Sequence, residues 1–218
     1  PPPPPADRTG GQMHPAPEGM DCERAPELRD ALASLEALEA RQTVVDLEGE
    51  IAAAEEGVVY PDSFIQDPGF FPFGNRQFRD WKKGGHGAVN LHRAIVESCD
   101  TYFYQLGPKL GIDRIAKWAR AFGLGEKTGI GLDDERNGLI PDTRWKQKRY
   151  RQPWFPGETI SVSIGQGYVT VTPLQLANMM AAVANGGKLY RPYLVRRVES
   201  LDGATVRGYG GVLIRSID

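Results

Sequence analysis

The sequence predicts an α+β protein in which helices predominate. Apolar residues recur with helical spacing in five segments, at 26–42, 91–98, 100–110, 112–122 and 172–187. Strand-like segments are shorter and come late in the chain, at 189–198 and 212–215. Between the helical segments lies a long stretch, 61–90, that has the prolines and glycines of a loop.

Length and composition place the chain among globular proteins. Its 218 residues suffice for one domain with a core, or for a piece of a larger one. A net charge of −2 and a pI near 6.0 provide no global field that favours nucleic acid. The mean hydropathy of −0.41 is typical of a soluble protein. No apolar run approaches the roughly 20 residues of a membrane-spanning helix.

The chain divides at about residue 25. Residues 1–25 are rich in proline and glycine and almost free of large aliphatic side chains, so we predict a disordered segment. A single domain is predicted over 26–218. The chain begins with neither methionine nor a signal peptide, and it is therefore interpreted as an internal segment or a processed product.

Capping residues mark the starts of the predicted helices. Asn90 is the expected N-cap of 91–98, and Asp100 is the expected N-cap of 100–110. Thr172 precedes Pro173, which suits the first position of the last helix. That helix is apolar nearly all round, so we expect it to be buried.

Four residues in and just after the loop have the side chains of a metal site: Asp67, Asp80, His86 and Cys99. Two carboxylates, an imidazole and a thiolate are suitable ligands for one borderline-soft metal ion. A loop as long as 61–90 is uncommon unless something ties it down, which is a second reason to expect a ligand here.

An alternative interpretation of the loop needs no metal. Phe70, Phe71, Phe73 and Trp81 would pack the loop by themselves, and the acidic and histidine side chains would be solvated.

Ser98-Cys99-Asp100 is a polar triplet with the composition of a catalytic motif. The alternative is that Ser98 and Asp100 only cap helices, which both residue types do well. Cys99 is interpreted as a buried thiol. A disulfide with Cys22 is disfavoured because Cys22 lies in the segment predicted to be disordered.

A basic cluster follows the central helices and consists of Arg144, Lys146, Lys148, Arg149 and Arg151. Such a cluster usually forms a solvated face. The second interpretation is contact with an anionic polymer or a lipid head group.

Seven motifs in order resemble a known family over about residues 55–195. They are DPGFF, RDWKKGGHG, ESCDTYFYQLG, GIDRIAKWARAFGLGEKTGI, TRWKQKRY, PWFPGETISVSIGQGY and VTPLQLANMMAAVANGG. Together they resemble penicillin-binding protein 2, the class B D,D-transpeptidase of bacterial cell elongation. The resemblance implies the α+β fold of serine penicillin-binding proteins and serine β-lactamases, here mainly its helical part with an incomplete sheet.

The resemblance also implies a chemistry. Enzymes of this family crosslink D-Ala-D-Ala stem peptides through a serine acyl-enzyme, and β-lactams imitate that peptide. Ser98-Cys99-Asp100 corresponds to the second of three motifs. Ser98 would relay a proton to the leaving D-Ala, and Asp100 would hold Ser98 and the catalytic lysine by hydrogen bonds.

The family resemblance implies a zinc ion as well. Two Asp, a His and a Cys hold it, and they match Asp67, Asp80, His86 and Cys99 one by one. Four protein ligands leave no open position, which is typical of a structural site. Cys99 points away from Ser98 in this scheme, so the ion would brace the loop from behind.

The other two motifs of the family are missing. None of the serines has a lysine three residues later, so Ser-x-x-Lys is absent, and alignment places the nucleophile near Thr43 and the lysine near Asp46. Lys127-Thr128-Gly129 follows a turn remote from the site and is not expected to be the third motif. Thr143 and Lys146 form a chance Thr-x-x-Lys.

These departures leave two functional hypotheses, beside a third interpretation in which the chain is a structural remnant with no function of its own. The first is a piece of a transpeptidase whose parent lies at the periplasmic face of the inner membrane and works with the elongation glycosyltransferase and other elongasome proteins. The piece itself would be soluble and inactive. The alternative is a non-catalytic module, with a structural zinc site, that binds peptidoglycan or an elongasome partner.

Overall fold

The computed structural model describes residues 51–60 and 62–217. The predicted disordered segment 1–25, the predicted helix 26–42 and the positions aligned with the nucleophile and its lysine, Thr43 and Asp46, lie outside these residues. The described part begins with helical residues 51–55, of which Ala52 and Ala53 are fully buried.

The stretch predicted as loop contains four short strands. They are β1 (Ile65–Asp67), β2 (Phe70–Phe73), β3 (Arg76–Arg79) and β4 (Gly87–Val89). The outer pair, β1 and β4, is antiparallel with Asp67 opposite Gly87, and the inner pair, β2 and β3, is also antiparallel. The prediction of an irregular loop was therefore wrong, because strands of three or four residues are too short to show a clear alternation.

Three helices follow: α1 (Leu91–Val96), α2 (Asp100–Leu110) and α3 (Ile112–Ala121). The predicted cap of α1 is confirmed, since the Asn90 side chain accepts a hydrogen bond from the Arg93 N–H at 2.9 Å. The cap predicted for α2 was wrong. Cys99 occupies the N-cap position without a side-chain cap, and Asp100 is the first helical residue.

The core is built around α2. Its Tyr102, Phe103 and Leu106 are at most 2% exposed. On another face, α2 packs against α5 (Pro156–Val162) so closely that a Cβ added at Gly107 would lie 2.6 Å from the Cβ of Ser163. This close approach of two helices requires a residue without a side chain at 107.

Two further helices flank this core. The Asp142 side chain caps α4 (Thr143–Tyr150). A reciprocal pair of bonds between Thr172 and Gln175 caps α6 (Pro173–Ala184), which confirms the predicted start of α6. The expectation that α6 is buried nearly all round was wrong, because only one stripe is buried and Met180 is 42% exposed.

The described chain ends in two small antiparallel pairs. The first consists of β5 (Lys188–Arg191) and β8 (Val212–Ser216), and the second of β6 (Arg197–Glu199) and β7 (Thr205–Gly208). Val212, Leu213 and Ile214 of β8 are 40–50% exposed. The described part is thus mainly helical with an incomplete sheet, as predicted. None of its helices has both the length and the apolar character needed to cross a bilayer.

Two adjacent methionines in α6 allow a matched test of the core. Met179 is fully buried and Met180 is 42% exposed. We expect Met179→Ala to lower the free energy of unfolding by about 2–5 kcal/mol through lost contacts and a cavity. Met180→Ala should change it by less than about 0.5 kcal/mol. Urea denaturation followed by circular dichroism measures both, and equal effects would contradict this packing of α6.

Candidate metal centre

The four candidate ligands meet at one buried point. Asp67 ends β1, Asp80 follows β3, His86 precedes β4, and Cys99 precedes α2. One donor atom from each lies within 4.8 Å of the others, and all four side chains are buried. The alternative of solvated acidic and histidine side chains is therefore wrong for these residues.

Asp67 is the most heavily bonded member of the group. Its Oδ1 accepts a hydrogen bond from the Gly69 N–H at 2.7 Å, and its Oδ2 accepts one from the His86 N–H at 2.8 Å. The same Oδ2 lies 2.7 Å from His86 Nδ1 and accepts a bond from Cys99 Sγ at 3.4 Å. Burial by itself would raise the pKa of Asp67, but the hydrogen bonds from Gly69 and His86 lower it to about 2. Asp67 is therefore an anion at neutral pH.

Asp80 joins the loop to the start of α2. Its Oδ1 accepts a bond from the Lys82 N–H, and its Oδ2 accepts one from the Thr101 N–H, both at 3.0 Å. Oδ1 also lies 3.5 Å from His86 Nδ1. One backbone N–H from its own loop and one from α2 thus aim this carboxylate at the same point as Asp67.

The donor set fits a divalent ion such as zinc. Ligand atoms around a tetrahedral zinc lie roughly 3.3–3.8 Å apart for bonds of about 2.0–2.3 Å. The separations of 3.4 Å between Cys99 Sγ and Asp67 Oδ2 and of 3.5 Å between His86 Nδ1 and Asp80 Oδ1 agree with this. Asp67 Oδ2 and His86 Nδ1, which are hydrogen-bonded at 2.7 Å, would move apart to share an ion. Burial and the two neighbouring carboxylates raise the pKa of the Cys99 thiol, and a bound cation would reverse that effect. Cys99 is a free, buried cysteine, as predicted.

Backbone packing holds the ligand-bearing loops together. Gly85 has φ of +75°, and a Cβ there would lie 2.2 Å from the Asp67 carbonyl oxygen and 2.3 Å from the Gly69 nitrogen. Gly69 has φ of +91° and meets Gly85 in the same way. Only glycine allows two backbones to approach this closely in a left-handed conformation.

The predicted catalytic pair lies directly beside the centre. Ser98 is half-buried and has φ of +48°, a left-handed conformation that is uncommon for serine. Asp100 is buried in the first turn of α2. Cys99 stands between Ser98 and Asp100 in the sequence, and its side chain faces the other three candidate ligands. The backbone of the triplet is therefore held on the side that faces the cluster.

The two chance motifs are engaged elsewhere. Lys127-Thr128-Gly129 lies in no strand, and Glu135 accepts bonds from the Thr128 N–H and hydroxyl and from the Gly129 N–H. Thr143 donates its hydroxyl to Asp113. Neither motif therefore supplies the strand or the nucleophile of the family.

Lys146 was wrongly grouped with the solvated basic residues. It is 3% exposed, its ammonium bonds the Glu158 carboxylate, and it also donates to the Tyr168 hydroxyl at 3.0 Å. The ring of Tyr168 lies 4.8 Å from the same ammonium. The remaining basic residues of the cluster are exposed: Arg144, Lys148, Arg149 and Arg151.

Comparison with known proteins decides the family. The family model of the penicillin-binding protein transpeptidase domain matches residues 50–210. The chain belongs to the penicillin-binding protein transpeptidase family. Within it the chain is of the penicillin-binding protein 2 type, since it is 47% identical over 166 residues to the peptidoglycan D,D-transpeptidase MrdA of Haemophilus influenzae.

Solved structures of penicillin-binding protein 2 agree with this assignment. The Helicobacter pylori protein is 36% identical, with a TM-score of 0.72 over 81% of this chain and 31% of that one. Its complex with MreC gives 41% identity and a TM-score of 0.67 over 70% of this chain and 28% of that one. The alignment with the Haemophilus protein covers 75% of this chain and 25% of that protein, so the chain spans about a quarter of its length.

A pair of glycine variants tests the close packing behind the centre. Gly85 and Gly87 have similar φ values of +75° and +72°, but a Cβ at Gly87 has nothing within 4 Å. Gly87→Ala should cost about 1–2 kcal/mol of unfolding free energy through backbone strain alone. Gly85→Ala should cost more, because its methyl group meets the Asp67 carbonyl. Urea denaturation of both variants measures the difference, and equal losses would refute the close approach.

Proposed function

We propose that the chain is part of a peptidoglycan D,D-transpeptidase that crosslinks stem peptides during bacterial cell elongation. The observation that carries the proposal is the Ser98-Cys99-Asp100 triplet, held at the start of a buried helix in a chain of this family. The named activity of the Haemophilus relative supports it.

In this proposal Ser98 and Asp100 perform one part of the reaction. The Ser98 hydroxyl returns a proton to the departing D-Ala amine, and Asp100 orients Ser98 by hydrogen bonding. The acylating serine and its lysine base are not provided by any Ser-x-x-Lys in this sequence. We therefore expect this chain to form no acyl-enzyme, although it has the two residues proposed for the proton relay.

We also propose that zinc occupies the centre as a structural ion. Asp67, Asp80 and His86 would hold it together with Cys99, and the ion supplies charge compensation rather than chemistry on the substrate. The support is the mutual distance of 4.8 Å or less among buried donors. Its mechanical effect would be to fix the paired strands against the N-terminus of α2.

Partners and location follow the same family. The substrate class would be the D-Ala-D-Ala stem peptide, with β-lactams as its mimics. The solved complex of penicillin-binding protein 2 with MreC supports a parent that assembles with other elongasome proteins. We propose the elongation glycosyltransferase as a further partner. We place that parent at the periplasmic face of the inner membrane.

The absence of Ser-x-x-Lys favours a second candidate function. In that alternative the chain is a non-catalytic module that keeps the helical wall and the zinc site and binds peptidoglycan or an elongasome partner. Covalent reaction with a β-lactam distinguishes the two candidates for the chain itself.

Metal analysis tests the zinc proposal. Protein purified without chelator should contain about one zinc per chain, and Cys99→Ser should lose most of it because a hydroxyl is a poor zinc ligand. Cys22→Ser is the matched control, since it also removes one thiol, and it should retain the metal. Zinc-free wild-type protein, measured by plasma mass spectrometry, would contradict the proposal.

Fluorescent penicillin tests the chemistry. The chain should take up no covalent label above the level of a heat-denatured sample, because it lacks the acylating serine and its lysine. A complete penicillin-binding protein 2 in the same gel serves as positive control. Stoichiometric labelling of this chain would show that an unrecognised nucleophile exists.

A further inference from the structure

Trp81 is the residue whose contacts the proposed function leaves unexplained. The side chain is 64% exposed, so its burial does not account for its position. Nevertheless its indole N–H is shared between two backbone oxygens, the Glu97 carbonyl at 3.1 Å and the Ser98 carbonyl at 2.9 Å. An exposed indole held by two such bonds is anchored to the turn between α1 and α2.

That turn needs an external donor. Carbonyl groups at the C-terminus of a helix lack intrahelical partners, and α1 ends at Val96. Ser98 follows in a left-handed conformation with φ of +48°, which a non-glycine residue keeps only when its surroundings constrain it. The Trp81 indole N–H donates a shared hydrogen bond to the backbone carbonyls of Glu97 and Ser98, on either side of this strained residue.

The other contact of Trp81 leads to the metal centre. The indole meets the His86 ring edge-on, with centroids 5.5 Å apart and planes at 63°. His86 directs Nδ1 toward Asp67 and Asp80, while its buried Nε2 has no hydrogen-bond partner and lies 3.8 Å from a Glu97 carboxylate oxygen. Trp81 also follows the candidate ligand Asp80 directly in sequence.

We propose that Trp81 is a positioning residue that couples occupancy of the metal centre to the backbone of Ser98. An ion that holds Asp80 and His86 would also hold the indole of Trp81, because Trp81 follows Asp80 in the chain and packs against the His86 ring. The indole N–H then holds the Glu97 and Ser98 carbonyls and thereby the direction of the Ser98 side chain. This inference rests on the proposed zinc site and adds to it a second route, beside the direct one through Cys99, by which the ion acts on the serine.

Amide hydrogen exchange measures this coupling in the full chain. The N–H groups of residues 97, 98 and 99 all donate to backbone carbonyls of α1, so their exchange reports the opening of the turn. Trp81→Phe keeps an aromatic ring beside His86 but removes the N–H. Trp154→Phe is the matched control, because the Trp154 indole N–H also donates one bond, to Thr159 Oγ1 at 2.8 Å.

The expected result has three parts. In zinc-loaded protein, Trp81→Phe should raise exchange at residues 97–99 roughly tenfold, as expected for the loss of a hydrogen bond. Trp154→Phe should leave it unchanged. Removal of zinc from wild type should accelerate the same amides and shift the Trp81 indole resonance. In Trp81→Phe only the link through Cys99 remains, so removal of zinc should accelerate residues 97 and 98 by a smaller factor than in wild type.

Zinc content measured on the same samples separates the two proposals. Zinc-free wild-type protein would refute the metal centre and with it the coupling. If zinc is bound but Trp81→Phe exchanges like wild type, the role of Trp81 is refuted and the metal centre stands. An equal response to chelation in wild type and Trp81→Phe would likewise show that the ion reaches Ser98 without the indole.

Discussion

The convergence of four buried donor atoms is the constraint from which the rest of the site follows. A buried carboxylate is tolerated only with partners, and Asp67 obtains them from two backbone N–H groups, an imidazole and a thiol. Those partners lie on segments 2 to 32 residues away in sequence. The chain must therefore fold back on itself, and the tight backbone contact between Gly69 and Gly85 is a result of that return.

The same constraint fixes the serine of the second motif. Cys99 faces the donor cluster, and Thr101 donates to Asp80, so the first turn of α2 is attached to the loops from one side. The apolar body of α2 attaches it to the core from the other, through Tyr102, Phe103 and Leu106. Ser98 directly precedes this attached turn and has a strained, left-handed backbone conformation. The Trp81 indole N–H donates a hydrogen bond to its carbonyl. The conformation at Ser98 thus depends on contacts that its neighbours make with the loops and the core.

Apolar surface remains exposed at the C-terminal side of the described chain. The alignment with the Haemophilus protein covers 25% of that protein. Apolar side chains on α6 and β8 are exposed, among them Met180 and Ile214. Lys146, in contrast, completes its own contacts within the described residues, since Glu158 and Tyr168 satisfy its buried charge.

The sequence by itself determined the helices α1, α2, α3 and α6 and the chemical types of the ligands, whereas its apolar spacing did not predict α4 or α5. Apolar spacing and the caps at Asn90 and Thr172 are local signals, and two Asp, a His and a Cys are recognisable as metal ligands wherever they stand. Only the tertiary structure decided which loop residues pair as strands, that Lys146 is buried, that one side of α6 stays exposed, and that the Trp81 indole caps the Ser98 turn. Each of these depends on contacts between segments far apart in the chain, and no local pattern encodes such contacts.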